Sequence, residues 1–304
     1  MALLNFRKPA AETTAPARAT SDFVADFSIE VMPRTAAKID DFKAILPGGT
    51  RVYIAHLDGT PIDEMVATAA RLAADGFRVM PHFPARIIAD QATLEDWIAR
   101  YQGEANVTEA LVLAGGVDAP VGDFASSMDL LATGAFDRAG FTHLHVAGHP
   151  EGNRDIDADG SMKTVTEALH WKESFAKSTD AQMAIVTQFA FEADPIIAWA
   201  DHLRDIGITL PVHIGIAGPA KLQTLIKFAI ACGVGPSLRV LERRALDVTK
   251  LLLPYTPDDV VGALAAHKAA NPDFAIEKLH LFPLGGITKS AEWAGAQMPA
   301  AAAQ

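Results

Sequence analysis

The chain has 304 residues, half of them hydrophobic, one cysteine and a formal net charge of −11 at pH 7. That acidity opposes nucleic-acid binding, which rests on clustered Lys and Arg that this chain lacks. No window reaches the roughly 18 uninterrupted apolar residues of a membrane span, so the chain reads as a soluble, cytoplasmic protein.

Residues 1–21 mix Ala, Thr, Pro and a few charges, and read as a flexible leader. Beyond them, β-rich runs followed by helix-period stretches recur every ~25 to 35 residues, the signature of repeated βα units. The runs fall at 23–31, 52–56, 78–83, 110–114, 143–147, 184–189, 211–216 and 278–282. Helices are expected at 36–45, 62–74, 94–101, 127–135, 162–177, 195–206 and 220–231, with further helix from about 238 to 270. Thr60-Pro61 and Asp194-Pro195 read as helix starts, Gly76 and Gly207 as helix stops. Eight strands in this alternation predict an α/β fold of the (β/α)8 TIM-barrel type, spanning 22–290 as one catalytic domain, with 291–304 a frayed tail. No Gly-x-Gly-x-x-Gly follows the first strand, which argues against an open dinucleotide-binding sheet.

Active sites of such barrels gather where strands end, and here those ends are polar: Glu30, His56, His82, Gly115-Gly116 with Asp118, His149 with Glu151, Gln188, and Gly285-Gly286. Glu30 closes an otherwise apolar strand. Either it is held by Arg34 or by backbone amides, or desolvation raises its pKa so that it serves as a general acid near neutral pH. Gln188 either satisfies a backbone group or offers a donor and an acceptor on one plane to a flat heterocycle. His56 and His82 either pack against carbonyls or meet a ligand. Together with His149 and Glu151 they contain zinc-ligand chemistry, but their spacing matches no compact motif and no metal is expected. The Gly-Gly pairs permit close backbone approach or simply turn the chain. Asp155, Asp157 and Asp159 resemble part of a calcium loop without its closing Glu, and read as a solvated loop and helix cap. Cys232 lies in an apolar helical pattern and reads as a small core residue.

Taken in order, these segments resemble the catalytic barrel of the methylenetetrahydrofolate reductases over about residues 23–285. Ile29-Glu30-Val31-Met32-Pro33-Arg34 matches the family's Phe-Glu-Phe strand, Pro81-His82 its Pro-His, and His149-Pro150-Glu151 its Tyr-Pro-Glu. Thr187-Gln188-Phe189-Ala190-Phe191 keeps its Thr-Gln-Phe-x-Phe, and His213-Ile214-Gly215-Ile216 stands for its Pro-Gly-Ile. The resemblance implies interconversion of 5,10-methylenetetrahydrofolate and 5-methyltetrahydrofolate by hydride transfer through FAD, with NADH or NADPH as electron partner. It gives Glu30 the general-acid role and Gln188, Asp118, Phe189 and Phe191 the folate. It gives the flavin His56, His82, Ala114, Gly115 and Gly116, together with His149, Glu151 and Lys172.

One segment departs. Where the family has Leu-Arg-Gly-Asp after strand four, this chain has Leu113-Ala114-Gly115-Gly116. The flavin-holding Arg is absent, and Asp118 would have to replace the family's Asp. Losing a charge-assisted contact of about 1.5 to 3 kcal/mol weakens binding roughly 10- to 100-fold, so weakly bound FAD is expected. The departure also keeps open a flavin-free reductase, a pterin-dependent methyltransferase, or a catalytically silent folate- or flavin-binding protein on the same barrel. The acidic surface is compatible with a homo-oligomer.

Overall fold

The structure, a computed structural model, describes residues 15–153, 155–232, 238–242 and 254–298. Eight parallel strands close into a barrel in sequence order. They are β1 (Ser28–Val31), β2 (Arg51–Ile54), β3 (Arg78–Pro84), β4 (Glu109–Leu113), β5 (His143–Gly148), β6 (Gln182–Ala190), β7 (Val212–Ala217) and β8 (Ile276–Phe282). The predicted (β/α)8 architecture is therefore present. Around the barrel run α1 (Ala15–Val24), α2 (Pro33–Ala36), α3 (Ile62–Ala74), α4 (Gln91–Ala105), α5 (Ser127–Ala132) and α6 (Ala135–Arg138). They are followed by α7 (Lys163–Phe175), α8 (Ala193–Asp205), α9 (Leu222–Ala231), α10 (Asp258–Ala270) and α11 (Ile287–Gln297).

Strand alternation sorts the side chains into two sets. Ile29, Val52, Ile54, Val112, Val146, Ile214 and Leu281 join the main core, which helix residues such as Met65, Leu72 and Leu203 complete. A separate small cluster inside the barrel contains Tyr53, Met80, Leu111 and Val186. Polar side chains share the lumen with it. At the strands' first residues, Glu109 accepts from Arg51 (Nε to Oε2, 2.7 Å) and Arg78 (Nη2 to Oε1, 2.8 Å) and closes the lower end. Above it, the Tyr53 hydroxyl and His145 Nδ1 share a hydrogen bond of 2.6 Å, and the Tyr53 ring packs edge-on against His280. Burial raises the Tyr53 pKa, which keeps the phenol protonated.

Several expectations are corrected. Residues 15–21 of the expected leader belong to α1, which packs on α10 and α11 with Ser21, Phe23 and Val24 buried; residues 1–14 lie outside the described residues. The expected tail is helical to Gln297, because Ile287, Ser290, Ala291 and Ala294 form a buried stripe at helical spacing. Residues 299–304 lie outside the described residues. The helix expected at 36–45 is only α2. Thr35 exchanges hydrogen bonds with the backbone of Met32, and Asp41 Oδ1 accepts the Lys43 amide at 2.9 Å, a local bond that competes with helix continuation. The expected helix at 127–135 divides into α5 and α6 at Gly134, whose φ is +66°. From the expected run at 238–270, residues 238–242 are helical and α10 covers the end, while 243–253 lie outside the described residues. Asp194 and Pro195 fall inside the first turn of α8, and Thr60 precedes a helix whose cap position is Pro61.

Candidate functional site

The mouth of the barrel is built from the last residues of the strands. Glu30, on the lumen face of β1 two residues above Ser28, keeps a fifth of its side chain exposed. Its Oε2 lies 3.4 Å from His82 Nε2 and 3.9 Å from His280 Nε2. Both nitrogens are buried and make no hydrogen bond. Ser28 Oγ and His280 Nδ1 are 2.9 Å apart. With the hydroxyl donating there, the ring proton of neutral His280 sits on Nε2, facing the carboxylate.

This arrangement overturns two expectations. Arg34 is exposed on α2, and the groups facing Glu30 are imidazoles. Nor is the carboxyl pKa raised: burial pushes it upward, but the His280 and His82 interactions outweigh burial and hold it at about 2. At neutral pH Glu30 is a carboxylate. Burial depresses the pKa of His280, so its contribution comes from a neutral N–H rather than a full charge.

Gln188 reaches the mouth through a β-bulge. Val186 pairs with His213 and Phe189 with Gly215, so β6 carries one residue more than β7 over that stretch. Thr187 stabilises the bulge by accepting the Gly215 amide at 2.8 Å while donating to the Gln188 carbonyl at 2.9 Å. Gly215 is required there, since a Cβ would lie 2.4 Å from the Thr187 carbonyl oxygen. Gln188 Oε1 accepts the Phe189 amide at 3.1 Å, so the side chain does satisfy a backbone group, and it also lines a cleft.

That shallow cleft, with an enclosed volume of about 50 Å³, is walled by His149, Glu151, Asn153, Gln188, Phe189 and Cys232. Phe191 stands behind it, packed on Phe189 and Tyr255. Cys232 is exposed, which corrects its reading as a core residue. Desolvation and the Glu30 charge push its thiol up to about 11. Asp118 is exposed on the loop after β4 and does not line this cleft.

The residues assigned to flavin follow strands two to five. His56 is buried, shares a 2.9 Å hydrogen bond between Nε2 and the Thr60 carbonyl, and stacks on Trp97. Since a carbonyl only accepts, Nε2 carries the proton, and Nδ1 is left as an acceptor with no donor. Burial lowers the His56 pKa. Lys172, buried on α7, donates to the Ala147 carbonyl at the end of β5 (2.9 Å), and desolvation lowers its pKa to about 8. Burial and the Lys172 charge push His149 down to about 4. At the end of β4, Gly116 is exposed, with open space where a Cβ would be. Gly115 has φ +97° and lies against Pro84.

The β4–α5 loop is fastened by a residue that sequence reading passed over. Arg86 donates from Nη1 to the Val117 carbonyl (2.9 Å) and from Nε to the Ala125 carbonyl (3.0 Å). Its backbone pairs with Ala114 and Val121. Asp157 accepts the Thr164 and Val165 amides and so caps α7, as the helix-cap reading of that acidic loop expected; Arg154 lies outside the described residues. Among the described residues no group of three or more His, Cys, Asp or Glu is placed to hold a metal ion, and no helix is long and apolar enough to cross a membrane.

No family model matches the chain. A 92-residue segment is 37% identical to methylenetetrahydrofolate reductase 1 of Schizosaccharomyces pombe; the match spans 30% of this chain and 14% of that relative's length. Among solved structures, an uncharacterised Clostridium thermocellum protein that binds two copies of 5-methyl-5,6,7,8-tetrahydrofolic acid superposes with a TM-score of 0.58. It is 12% identical, and the superposition covers 89% of this chain and 92% of that one. The chain is thus a closed (β/α)8 barrel that resembles the methylenetetrahydrofolate reductases.

Proposed function

We propose that the protein interconverts 5,10-methylenetetrahydrofolate and 5-methyltetrahydrofolate, with FAD as cofactor and NADH or NADPH as electron partner. The observation that carries this reading is the Glu30 carboxylate at the barrel mouth, faced by two unpartnered imidazole nitrogens. The partial sequence match to a methylenetetrahydrofolate reductase and the shared fold of a methyltetrahydrofolate-binding protein support it.

Gln188 would orient the pterin. Its carbonyl is already occupied by the Phe189 amide, so the free amide N–H groups face the ligand, while Phe189 supplies an apolar wall. Glu30 exchanges a proton with the folate nitrogen that leaves when the five-membered ring opens. His280, positioned by Ser28, and His82 keep that carboxylate ionised between turnovers.

The residues present fit a flavin. A buried acceptor without a donor, such as His56 Nδ1, costs about 1 to 3 kcal/mol, which a ring N–H would relieve. Lys172 is a buried cation suited to an electron-rich ring edge, and the open Gly116 backbone allows close approach. When bound, FAD supplies the two-electron chemistry, and the protein supplies position and electrostatics. Arg86 does not replace the missing Arg, because its guanidinium already serves two loop carbonyls.

The test is a titration of purified protein with FAD and then 5-methyltetrahydrofolate, followed at the visible flavin band. Bleaching on addition of the folate supports the proposal. An unchanged band with FAD bound refutes it.

A further inference from the structure

His82 is assigned above to a flavin, yet its Nε2 faces the Glu30 carboxylate. The residue is 7% exposed, its Nε2 lacks a hydrogen bond, and that nitrogen stands 3.4 Å from Glu30 Oε2. His280 approaches the same oxygen at 3.9 Å, but it is fully buried and its Nδ1 is engaged by Ser28. The other titratable neighbours are His56, following β2, and Tyr53, whose ring lies edge-on at 6.4 Å. Of the two imidazoles beside Glu30, only His82 keeps a side-chain surface in contact with solvent, 9% against none for His280.

We infer that His82 and Glu30 act as one proton-sharing pair, in which His82 stores the proton that Glu30 hands to the leaving nitrogen of the folate. The inference rests on the folate reading above. A carboxyl held at about 2 is itself protonated in about one molecule in 10⁵ at pH 7, so Glu30 needs a proton source within reach. As the ring C–N bond breaks, its electron pair stays on the departing nitrogen, which takes a proton from Glu30. The proton on His82 Nε2 moves to Glu30 Oε2, imidazolium becomes imidazole, and solvent reprotonates it through the mouth. In the opposite direction the nitrogen's proton passes to Glu30 and then to His82. His82 is in these terms a positioning and proton-storing residue that acts through Glu30.

The experiment is an NMR pH titration of the histidine rings in the full chain, with the His82 signal assigned by its loss in His82→Gln. Removing a negative charge 3.4 Å away in Glu30→Gln shifts the His82 midpoint down by about one pH unit, and the other histidine signals report whether the fold is kept. A midpoint that moves by less than about 0.2 unit in a folded variant overturns the pair. In parallel, 5-methyltetrahydrofolate oxidation by wild type with an artificial acceptor falls on the acid side around the same midpoint. His82→Gln loses that limb together with roughly 10- to 100-fold in rate. Wild type without turnover but with the NMR shift intact would overturn the folate reading alone. Turnover with an unmoved midpoint would overturn the proton store alone.

Discussion

Acid should destabilise this barrel at unusually mild pH, because its lumen and mouth bury histidines that fold neutral. Desolvation, reinforced by the charges of Arg51 and Lys278, pushes His213 down to about 3, and burial with Lys172 pushes His149 down to about 4. An unfolded histidine titrates near 6.5, so below that pH the unfolded chain binds protons that these two native rings refuse. Stability is therefore fully present above about pH 6.5 and lost as pH falls toward the folded values. Each group costs about 1.4 kcal/mol per pH unit across that window, or about 2.5 kcal/mol between pH 7 and 4.5. The pair removes about 5 kcal/mol, a third or more of a typical domain's stability. The Glu30 carboxylate adds a similar loss only below pH 4.5, since its pKa is depressed to about 2. Urea denaturation midpoints at pH 7 and 4.5 measure the effect. His213→Leu, which removes a group that is 3% exposed and whose Nδ1 has no partner, should reduce the pH dependence by about 2.5 kcal/mol. A change below about 1 kcal/mol in wild type, or one untouched by His213→Leu, would refute the reasoning.

Other outcomes follow from the same geometry. Purified protein should carry FAD at less than one equivalent, and Ala114→Arg should tighten FAD binding about tenfold or more, as equilibrium titration would show. Gly215→Ala should lower the thermal midpoint markedly and loosen the Gln188 bulge, because the added Cβ meets the Thr187 carbonyl oxygen at 2.4 Å; a variant as stable as wild type would contradict the bulge's role. Cys232, with its thiol near 11, should form roughly 300-fold less thiolate than free cysteine at pH 7.5, and bound 5-methyltetrahydrofolate should shield it further. Mass spectrometry after timed alkylation reads both effects.

The barrel was legible in the sequence because the βα period repeats eight times, and each expected run overlaps a strand. Boundaries failed where local bonds or small residues decided them: Thr35 and Asp41 stop α2, and an Ala- and Ser-rich stripe hides α11. Glu30, Gln188, Phe189 and His149 were visible as polar or aromatic residues at strand ends, and the structure places all four at the mouth. Asp118 was expected beside the folate but is exposed outside the cleft. Tyr53, His145, His213 and His280 were missed because they sit inside strands, and Ser28 because it opens β1, at the end away from the mouth. Period-two alternation would have found some of them, since Ser28 shares a strand face with Glu30, and His280 with Lys278 and Phe282. The tertiary contact that lowers the Glu30 pKa could not be read at all, as it joins residues 52 and 250 positions apart.

Glu30→Gln compared with wild type is the most direct test of the central claim. Both proteins are loaded with FAD, mixed with 5-methyltetrahydrofolate, and followed for folate binding and for loss of the visible flavin band. Wild type should bleach, and the variant should bind the folate with comparable affinity yet bleach at least 100-fold more slowly. Equal bleaching rates in the two proteins would show that this carboxylate takes no part in the chemistry.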